Sequence, residues 1–157
     1  MLAQAKSLAS QFAFGCLMAA KALLSPVALG AHALIVDSSG KVLLVRHSYM
    51  SGWSLPGGGV GRGEPPEKAL LRELAEEIGT IRADAPQFVG IFSRRAGWAT
   101  NVVILYRLMN AQVDFTPNFE VREICFADPA NPPPGTAAGT VRRLGEFSRK
   151  APPGPYW

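Results

Sequence analysis

Hydrophobic and polar positions divide the chain into several short apolar runs and one longer stretch with helical spacing. The runs Ala31–Val36 and Val42–Val45 flank a polar Asp-Ser-Ser-Gly turn, which predicts a β-hairpin. The segments QFVGIFSRR and TNVVILYRLM predict a second strand pair, VREICFAD predicts a further strand, and TAAGTVRRLGEFSRK predicts a closing helix. Strands on both sides of a central helix, without regular βαβ alternation, favour a mixed sheet flanked by helices.

The central helix is predicted between a proline pair and a glycine. Pro65 and Pro66 suit the first helical turn, where a missing N–H costs little, and Gly79 suits the position just past the end. Apolar residues recur between them at helical spacing and form one stripe: Leu70, Leu71, Leu74, Ala75 and Ile78. This segment is the longest element that the sequence predicts with defined ends.

The N-terminal segment 1–28 contains apolar residues but no membrane span. Its best apolar run, Phe12–Ala20, stops at Lys21 and is much shorter than the ~20 residues that cross a bilayer. We expect a helix from about Leu2 to Leu24 that packs on the domain. A helix on a membrane surface and a cleaved signal peptide remain alternatives.

Length and charge narrow the function classes. A chain of 157 residues fits a single domain over residues 1–157, and its formal net charge of +4 suits a protein that meets anionic small molecules. The basic residues are scattered, so there is no strong nucleic-acid signal. Cys16 and Cys125 lack the spacing of a metal or redox motif, which favours free thiols and a cytoplasmic setting.

The central helix also has an unusual concentration of carboxylates. Glu73, Glu76 and Glu77 stand at positions i, i+3 and i+4, so we expect them on one face, where like charges repel. They lie toward the C-terminal half of the helix, where the helix dipole disfavours negative charge. A solvated acidic face is one explanation. A hard divalent cation such as Mg²⁺, bound beside the preceding glycine-rich loop, is the other.

In this register the segment resembles the signature of the Nudix hydrolases: Gly, five residues, Glu, seven residues, Arg-Glu, an aliphatic residue, any residue, Glu-Glu, any residue, Gly and an aliphatic residue. The matching positions are Gly58, Glu64, Arg72, Glu73, Leu74, Glu76, Glu77 and Gly79. Thr80 stands where the signature has an aliphatic residue. The resemblance implies an α/β (α+β) fold, an α/β/α sandwich around a central mixed sheet.

It also implies an activity and a set of site residues. Nudix hydrolases cleave a diphosphate linkage in a nucleoside diphosphate joined to another group, and they use Mg²⁺ or Mn²⁺. By resemblance Glu73, Glu76 and Glu77 hold the metal together with a backbone carbonyl, assigned to Gly58. Arg72 would orient a glutamate, and Glu64 would assist. The general base varies in the family, so a glutamate outside the helix is considered: Glu120 is preferred over Glu123.

The residues that bind the substrate are harder to predict from the sequence. Arg46, Arg94 and Arg95 are candidates for phosphate contacts, although each also suits a solvated surface position. Candidate stacking residues, each with a place in the core as the alternative, are Trp53, Phe92 and Trp98. His32 and His47 lack metal-ligand spacing and are interpreted as strand residues.

The expected partner is a small-molecule nucleotide or nucleoside diphosphate derivative. A homodimer is a further possibility. A nucleotide-sensing module without turnover is the alternative to an enzyme, and the complete glutamate set argues against it. An RNA-end processing or RNA-binding protein is disfavoured, because basic residues are not clustered with aromatic ones.

Overall fold

The computed structural model describes residues 14–157. Three helices and eight strands follow one another along these residues: α1 (14–24), β1 (Val27–Ile35), β2 (Val42–His47), β3 (Gly57–Gly59), α2 (Pro66–Ile78), β4 (Thr80–Arg82), β5 (Gln87–Ala96), β6 (Ala99–Leu108), β7 (Gln112–Asp114), β8 (Val121–Ala127) and α3 (Ala138–Phe147). The predicted central helix, the β5–β6 pair, the strand β8 and the closing helix are all confirmed.

The main sheet is mixed and has the strand order β3-β1-β6-β5. Strand β1 runs parallel to β6 over its whole length, whereas β3 and β5 pair antiparallel with their neighbours. Two further ladders join β2 to β8 and β4 to β7, both antiparallel. The α/β sandwich with a central mixed sheet is therefore confirmed.

The predicted hairpin between the first two strands is wrong. Only the bridge Val36↔Val42 links the strands beside the turn, and β2 then pairs with β8. Strand β1 finds its long partner in β6 instead. The turn itself forms, because Asp37 accepts from the N–H groups of Ser39 and Lys41 at 2.8 and 2.9 Å. A local turn signal thus located the chain reversal but not the strand partners.

Two hydrophobic clusters lie on opposite faces of the strands. Alternate residues of β2 divide between them: Leu43 and Val45 belong to the cluster with α2, and Val42 and Leu44 to the cluster that contains Leu144 of α3. Strand β1 alternates in the same way. Burial on both faces explains why these strands read as continuous apolar runs.

Helix α2 ends as predicted at Gly79, whose φ of 73° lies in the left-handed region and whose N–H donates to the Ala75 carbonyl at 3.2 Å. Leu70, Leu74 and Ile78 are buried. The predicted stripe was too wide, however, because Leu71 and Ala75 are exposed. Glu77 is buried in their place, next to the core.

The predicted N-terminal helix is described only in part, since residues 1–13 lie outside the described residues. Residues 14–24 are helical, as expected, but their large apolar side chains are exposed, including Leu23 and Leu24. The expected packing is not observed for this stretch, since both faces of the sheet are already covered by α2 and α3. Between residues 14 and 157, no helix combines the length and apolar character needed to cross a membrane.

Candidate active site

The glycine-rich strand β3 brings its backbone close to both β1 and α2. Gly57 has a φ of 122°, and a Cβ there would lie 2.2 Å from the Ala31 carbonyl oxygen. At Gly58 a Cβ would lie 2.2 Å from Oε2 of Glu73, so any larger residue there would displace that carboxylate. Gly59 has no such neighbour within 4 Å. The backbone at Gly58 is thus a close-fitting cradle for Glu73.

Arg72 is the centre of an ion-pair network between β3 and α2. It binds Glu64 through two nitrogens, each at 3.0 Å, and donates to Glu73 at 2.8 Å and Glu76 at 3.3 Å. Its Nη2 also donates to the Gly59 carbonyl at 3.0 Å. These hydrogen bonds hold the pKa of Glu64 below its ordinary value and raise that of Arg72. One guanidinium therefore fixes the directions of three carboxylates.

Glu77 takes no part in that network. It is 3% exposed; its Oε1 lies 2.6 Å from Nε2 of His47, and its Oε2 accepts from the Gly57 N–H at 2.7 Å. Because a carboxylate only accepts hydrogen bonds, we assign the proton of the first contact to Nε2. His47 is buried as well, and its Nδ1 lies 3.4 Å from Oγ of Ser54.

The expectation that all three helix glutamates share one open face is therefore only partly right. Glu73 and Glu76 reach Arg72, while Glu77 is locked between β2 and β3. His47 is the residue that sequence reasoning missed. Its alternation with Leu43 and Val45 along β2 is the signal that could have placed it beside α2, although a bulge shifts the register at Arg46 and His47.

Asn118 joins the end of α2 to the segment before β8. Its Nδ2 donates to the carbonyls of Glu76 and Glu77, at 3.2 and 3.0 Å, which are otherwise free at a helix end. Its Oδ1 accepts from the N–H of Glu120 at 2.9 Å and of Val121 at 2.8 Å. One side chain thus ties the predicted base segment to the glutamate helix.

The pKa of Tyr49 responds to the charge of Glu120 as well as to those of the helix glutamates. Burial raises the pKa of Tyr49, and the negative charges of Glu77, Glu120 and Glu73 raise it further. Glu123, in contrast, pairs with Arg46 across the β2–β8 ladder at 3.1 Å, and both side chains are about half exposed. Glu120 and the helix glutamates therefore act on the same tyrosine, whereas Glu123 is paired on the β2–β8 ladder.

Of the residues predicted to contact the substrate, some have other partners, some are in the core, and one lines a cavity. Arg46 is engaged by Glu123 and lies over the Trp53 ring at 4.5 Å, while Arg95 donates to the Gly97 carbonyl at 3.0 Å beside the β5–β6 turn. Trp53 and Phe92 are core residues, and Trp98 is exposed at that turn. Arg94 alone among the three arginines lines a cavity next to the site.

This cavity has a volume of about 190 Å³ and lies beside the glycine-rich backbone. Its lining residues come from the sheet, the loop after β2, α3 and the segment that follows α3: they include His32, His47, Tyr49, Gly57, Arg94 and Trp157. His47 and Gly57 also hold Glu77, so the cavity lies next to the residues that fix this buried carboxylate.

Comparison with known proteins identifies the family. The sequence profile of the NUDIX domain matches residues 26–144. The chain belongs to the NUDIX family. The match begins just before β1 and ends within α3, so it covers the main sheet, α2 and the carboxylate network.

Similar proteins carry names that refer to different substrates. An RNA pyrophosphohydrolase of Acinetobacter baylyi is 37% identical over 65 residues, which make up 41% of this chain and 37% of that protein. A MutT NUDIX hydrolase from Burkholderia pseudomallei has a TM-score of 0.65 at 23% identity, over 75% of this chain and 95% of that one. An ADP-ribose pyrophosphatase from Streptococcus suis has a TM-score of 0.56 at 28% identity, over 78% and 92%.

The similarity to RNA pyrophosphohydrolases is local. Aligned stretches span 32–38% of the length of the five such relatives compared, from Acinetobacter baylyi and four other bacteria. The solved structure at 23% identity shows the fold alone. Family membership and fold are therefore established, whereas the activity and the substrate of this chain are matters for proposal.

NUDIX hydrolases generally use a divalent metal ion, and the donors of this site suit one. Glu73, Glu76, Glu77 and the backbone carbonyls of β3 offer only oxygen atoms, which hard cations prefer, and one cation, the Arg72 guanidinium, already contacts Glu73, Glu76 and the Gly59 carbonyl. Within residues 14–157, no three acidic, histidine or cysteine side chains are arranged closely enough to hold an ion. Metal binding would thus require Glu73 or Glu76 to turn from Arg72.

Proposed function

We propose that this chain is a metal-dependent pyrophosphohydrolase that cleaves a diphosphate linkage in a nucleoside diphosphate joined to another group. The observation that carries the proposal is the Arg72 network, which keeps three carboxylates together, with Glu73 packed directly against the Gly58 backbone. Such a cluster of carboxylates costs electrostatic energy, which Arg72 offsets in part and a divalent cation would offset further. A solvated acidic face would need neither the cradle nor the shared guanidinium.

Under this proposal Mg²⁺ or Mn²⁺ is held by Glu73, Glu76 and Glu77 with the Gly58 carbonyl. The ion would neutralise phosphate oxygens and lower the pKa of a bound water. Glu77 is held rigidly by His47 and Gly57, so it can keep its direction through the reaction. Arg72 orients Glu73 and Glu76, and Glu64 holds Arg72.

We assign the proton-accepting role to Glu120. It lies on the segment that Asn118 fastens to the end of α2, and its charge reaches Tyr49 together with those of Glu73 and Glu77. The test compares Glu120→Gln with Glu123→Gln. The first should lower kcat and alter the low-pH limb of the rate profile, with KM nearly unchanged. Equal, few-fold effects of both variants would remove Glu120 from this role.

We place the substrate's distal group in the cavity of about 190 Å³, beside Arg94 and the exposed Tyr49 ring. Arg94 can pair with a phosphate oxygen, and Tyr49 offers a ring for a base or a second sugar. Of the three predicted arginines, Arg46 and Arg95 have other partners, so we assign them no more than a secondary contribution.

A second substrate class is an RNA end that carries a diphosphate linkage, because RNA pyrophosphohydrolases are 37% identical to this chain over 65 residues. The bond cleaved is the same in chemical type, and the net charge of +4 is compatible with either substrate.

The deciding experiment is a panel assay with the full chain and Mg²⁺. The panel contains nucleoside diphosphate sugars, dinucleoside polyphosphates, oxidised nucleoside triphosphates and 5′-triphosphorylated RNA. We expect cleavage of at least one nucleotide class and none in EDTA. A nucleotide that binds but is not cleaved under any of these conditions would favour the nucleotide-sensing alternative.

A further inference from the structure

A second cavity, larger than the first, lies on the α3 side of the sheet. Its volume is about 580 Å³, within the range of small-molecule sites. Strands β5 and β6 form one wall, and the last turn of α3 with the segment after it forms the other. None of the glutamates at positions 64, 73, 76, 77 and 120 lines it, so it is distinct from the candidate active site.

One part of the wall is apolar, with Phe92, Leu105 and Phe147 among its residues. The charged part consists of three arginines and one glutamate: Arg107, Arg143, Arg149 and Glu146. Glu146 is already engaged, since its Oε1 accepts from Arg143 at 2.7 Å and from the Gly154 N–H at 2.9 Å. The cavity therefore has an excess of positive charge beside an apolar surface.

Arg143 is the least expected member of this group, because its side chain is completely buried. Its guanidinium lies 3.8 Å from the Phe92 ring centre, and its Nη2 donates to Glu146 and to the Tyr156 carbonyl. Its Nε is buried and has no hydrogen-bond partner among residues 14–157. A buried donor without a partner is costly, and an anion in the cavity would become its acceptor once the Arg143 side chain turns Nε toward the cavity.

Arg107 repeats the pattern, and Arg149 adds an exposed positive charge at the end of α3. Arg107 donates to Gln87 at 2.8 Å through Nη2, but its Nε is also buried without a partner in the described part of the chain. Arg149 follows the end of α3 with a φ of 58°, a left-handed conformation that glycine adopts at much lower cost. An arginine at that position indicates a use for its side chain.

We propose that this cavity binds an amphipathic organic anion, a molecule with one carboxylate or phosphate group on an apolar body. The anionic group pairs with Arg107 and Arg149 and accepts from the free Nε of Arg143. The apolar body packs on Phe92 and Leu105. This site is independent of the proposed hydrolysis, because it shares no residue with the carboxylate network.

The test is calorimetric titration of the full chain in EDTA, which keeps metal-bound phosphate out of the measurement. The probes are octyl phosphate and octanoate, with octanol and inorganic phosphate as controls. We expect saturable one-to-one binding of at least one octyl anion, with octanol and inorganic phosphate much weaker. The tighter of the two anions identifies the preferred headgroup.

Three variants locate the binding. Arg107→Gln and Arg149→Gly should each weaken the anion by about tenfold or more, the usual effect of losing a charged hydrogen bond. Arg122→Gln is the matched control, because Arg122 is exposed on β8 and does not line the cavity. Arg149→Gly also removes the left-handed arginine, so its thermal midpoint should be no lower than that of the parent.

Weaker binding in a variant that is as stable as the parent would separate a ligand role from a structural one. The proposal is overturned if octanol binds as well as the anions. It is also overturned if Arg107→Gln and Arg149→Gly bind the anions as tightly as Arg122→Gln does.

Discussion

At the scale of single residues, the candidate site depends on two kinds of contact. Contacts within one helix can be predicted from the sequence, whereas contacts between distant segments cannot. The pair of Arg72 and Glu76 was readable, because residues four positions apart on a helix are neighbours. The contact of His47 with Glu77 was not readable, since it joins residues 30 positions apart. Periodicity tells which face a residue occupies, but it does not tell which strand lies opposite.

The cradle at Gly58 gives a matched pair of substitutions. Gly58→Ala places a Cβ against the Glu73 carboxylate, whereas Gly59→Ala meets nothing within 4 Å. We expect the first to lower kcat/KM on the order of 100-fold, because a displacement of about 1 Å suffices for such a loss. The second should stay near the parent. Equal rates for the two variants in Mg²⁺ would contradict the cradle.

His47 positions Glu77, so His47→Ala should leave a buried carboxylate with only the Gly57 N–H as partner. We expect a loss of about 10–100-fold in metal affinity or turnover, the usual result of removing a residue that orients a ligand. His47→Gln keeps a donor and should recover part of the loss. Mn²⁺ titration of each variant measures this, and unchanged affinity in His47→Ala would argue against the role.

At the scale of elements, the ends of α2 followed from the sequence, but the strand partners did not. Pro66 and Gly79 act through their own backbone, so their effects are local. The β1–β6 ladder joins segments about 70 positions apart, and both strands are apolar on each face, so no pattern distinguishes their partners. Glu77 was misplaced for the same reason, because its burial depends on β2 and β3 lying against the helix.

Asn118 links two elements, and Asn118→Ala tests that link. The substitution leaves the Glu76 and Glu77 carbonyls and the N–H of Glu120 without their partner. We expect a loss of about 0.5–1.5 kcal/mol in the free energy of unfolding, measured by urea denaturation, and a lower kcat. Asn131→Ala, at an exposed position, is the control. Identical stability of the two variants would show that the cap contributes nothing.

At the scale of the whole molecule, two cavities with different chemistry lie on the α3 face of the sheet. One lies beside the carboxylate network, and the other lies among arginines next to α3. Trp157 packs against both His32 and Phe92, whose rings are 5.3 and 6.1 Å away, and these residues line the first and second cavity respectively. The family resemblance predicted the glycine-rich backbone beside the first cavity as part of the site. The second depends on the packing of α3, which the local pattern does not define.

His32 makes the stability of the whole fold sensitive to acid. Burial lowers the pKa of His32 to about 4 from an ordinary value of 6.5, so below 6.5 the unfolded chain takes up a proton that the folded one does not. The free energy of unfolding should therefore fall from pH 6.5 down to about 4. Between pH 7 and pH 5 this contribution is about 2 kcal/mol.

His32→Gln removes the titrating group, so its loss of stability between pH 7 and pH 5 should be smaller than that of the parent by that amount. Urea denaturation at the two pH values measures the difference. Parallel pH profiles for the parent and His32→Gln would show that His32 is not the group responsible.

The central claim is that the helix glutamates hold a divalent cation for diphosphate cleavage, and one comparison tests it most directly. Glu76→Gln and Glu67→Gln remove the same charge from the same helix, but Glu67 is exposed in the first turn and has no contact with Arg72. The measurement is the rate of Mg²⁺-dependent cleavage of the best substrate from the panel. We predict a loss of at least 100-fold in Glu76→Gln, with Glu67→Gln near the parent, at the order of magnitude expected for lost electrostatic stabilisation. Equal activity of both variants and the parent would contradict the account.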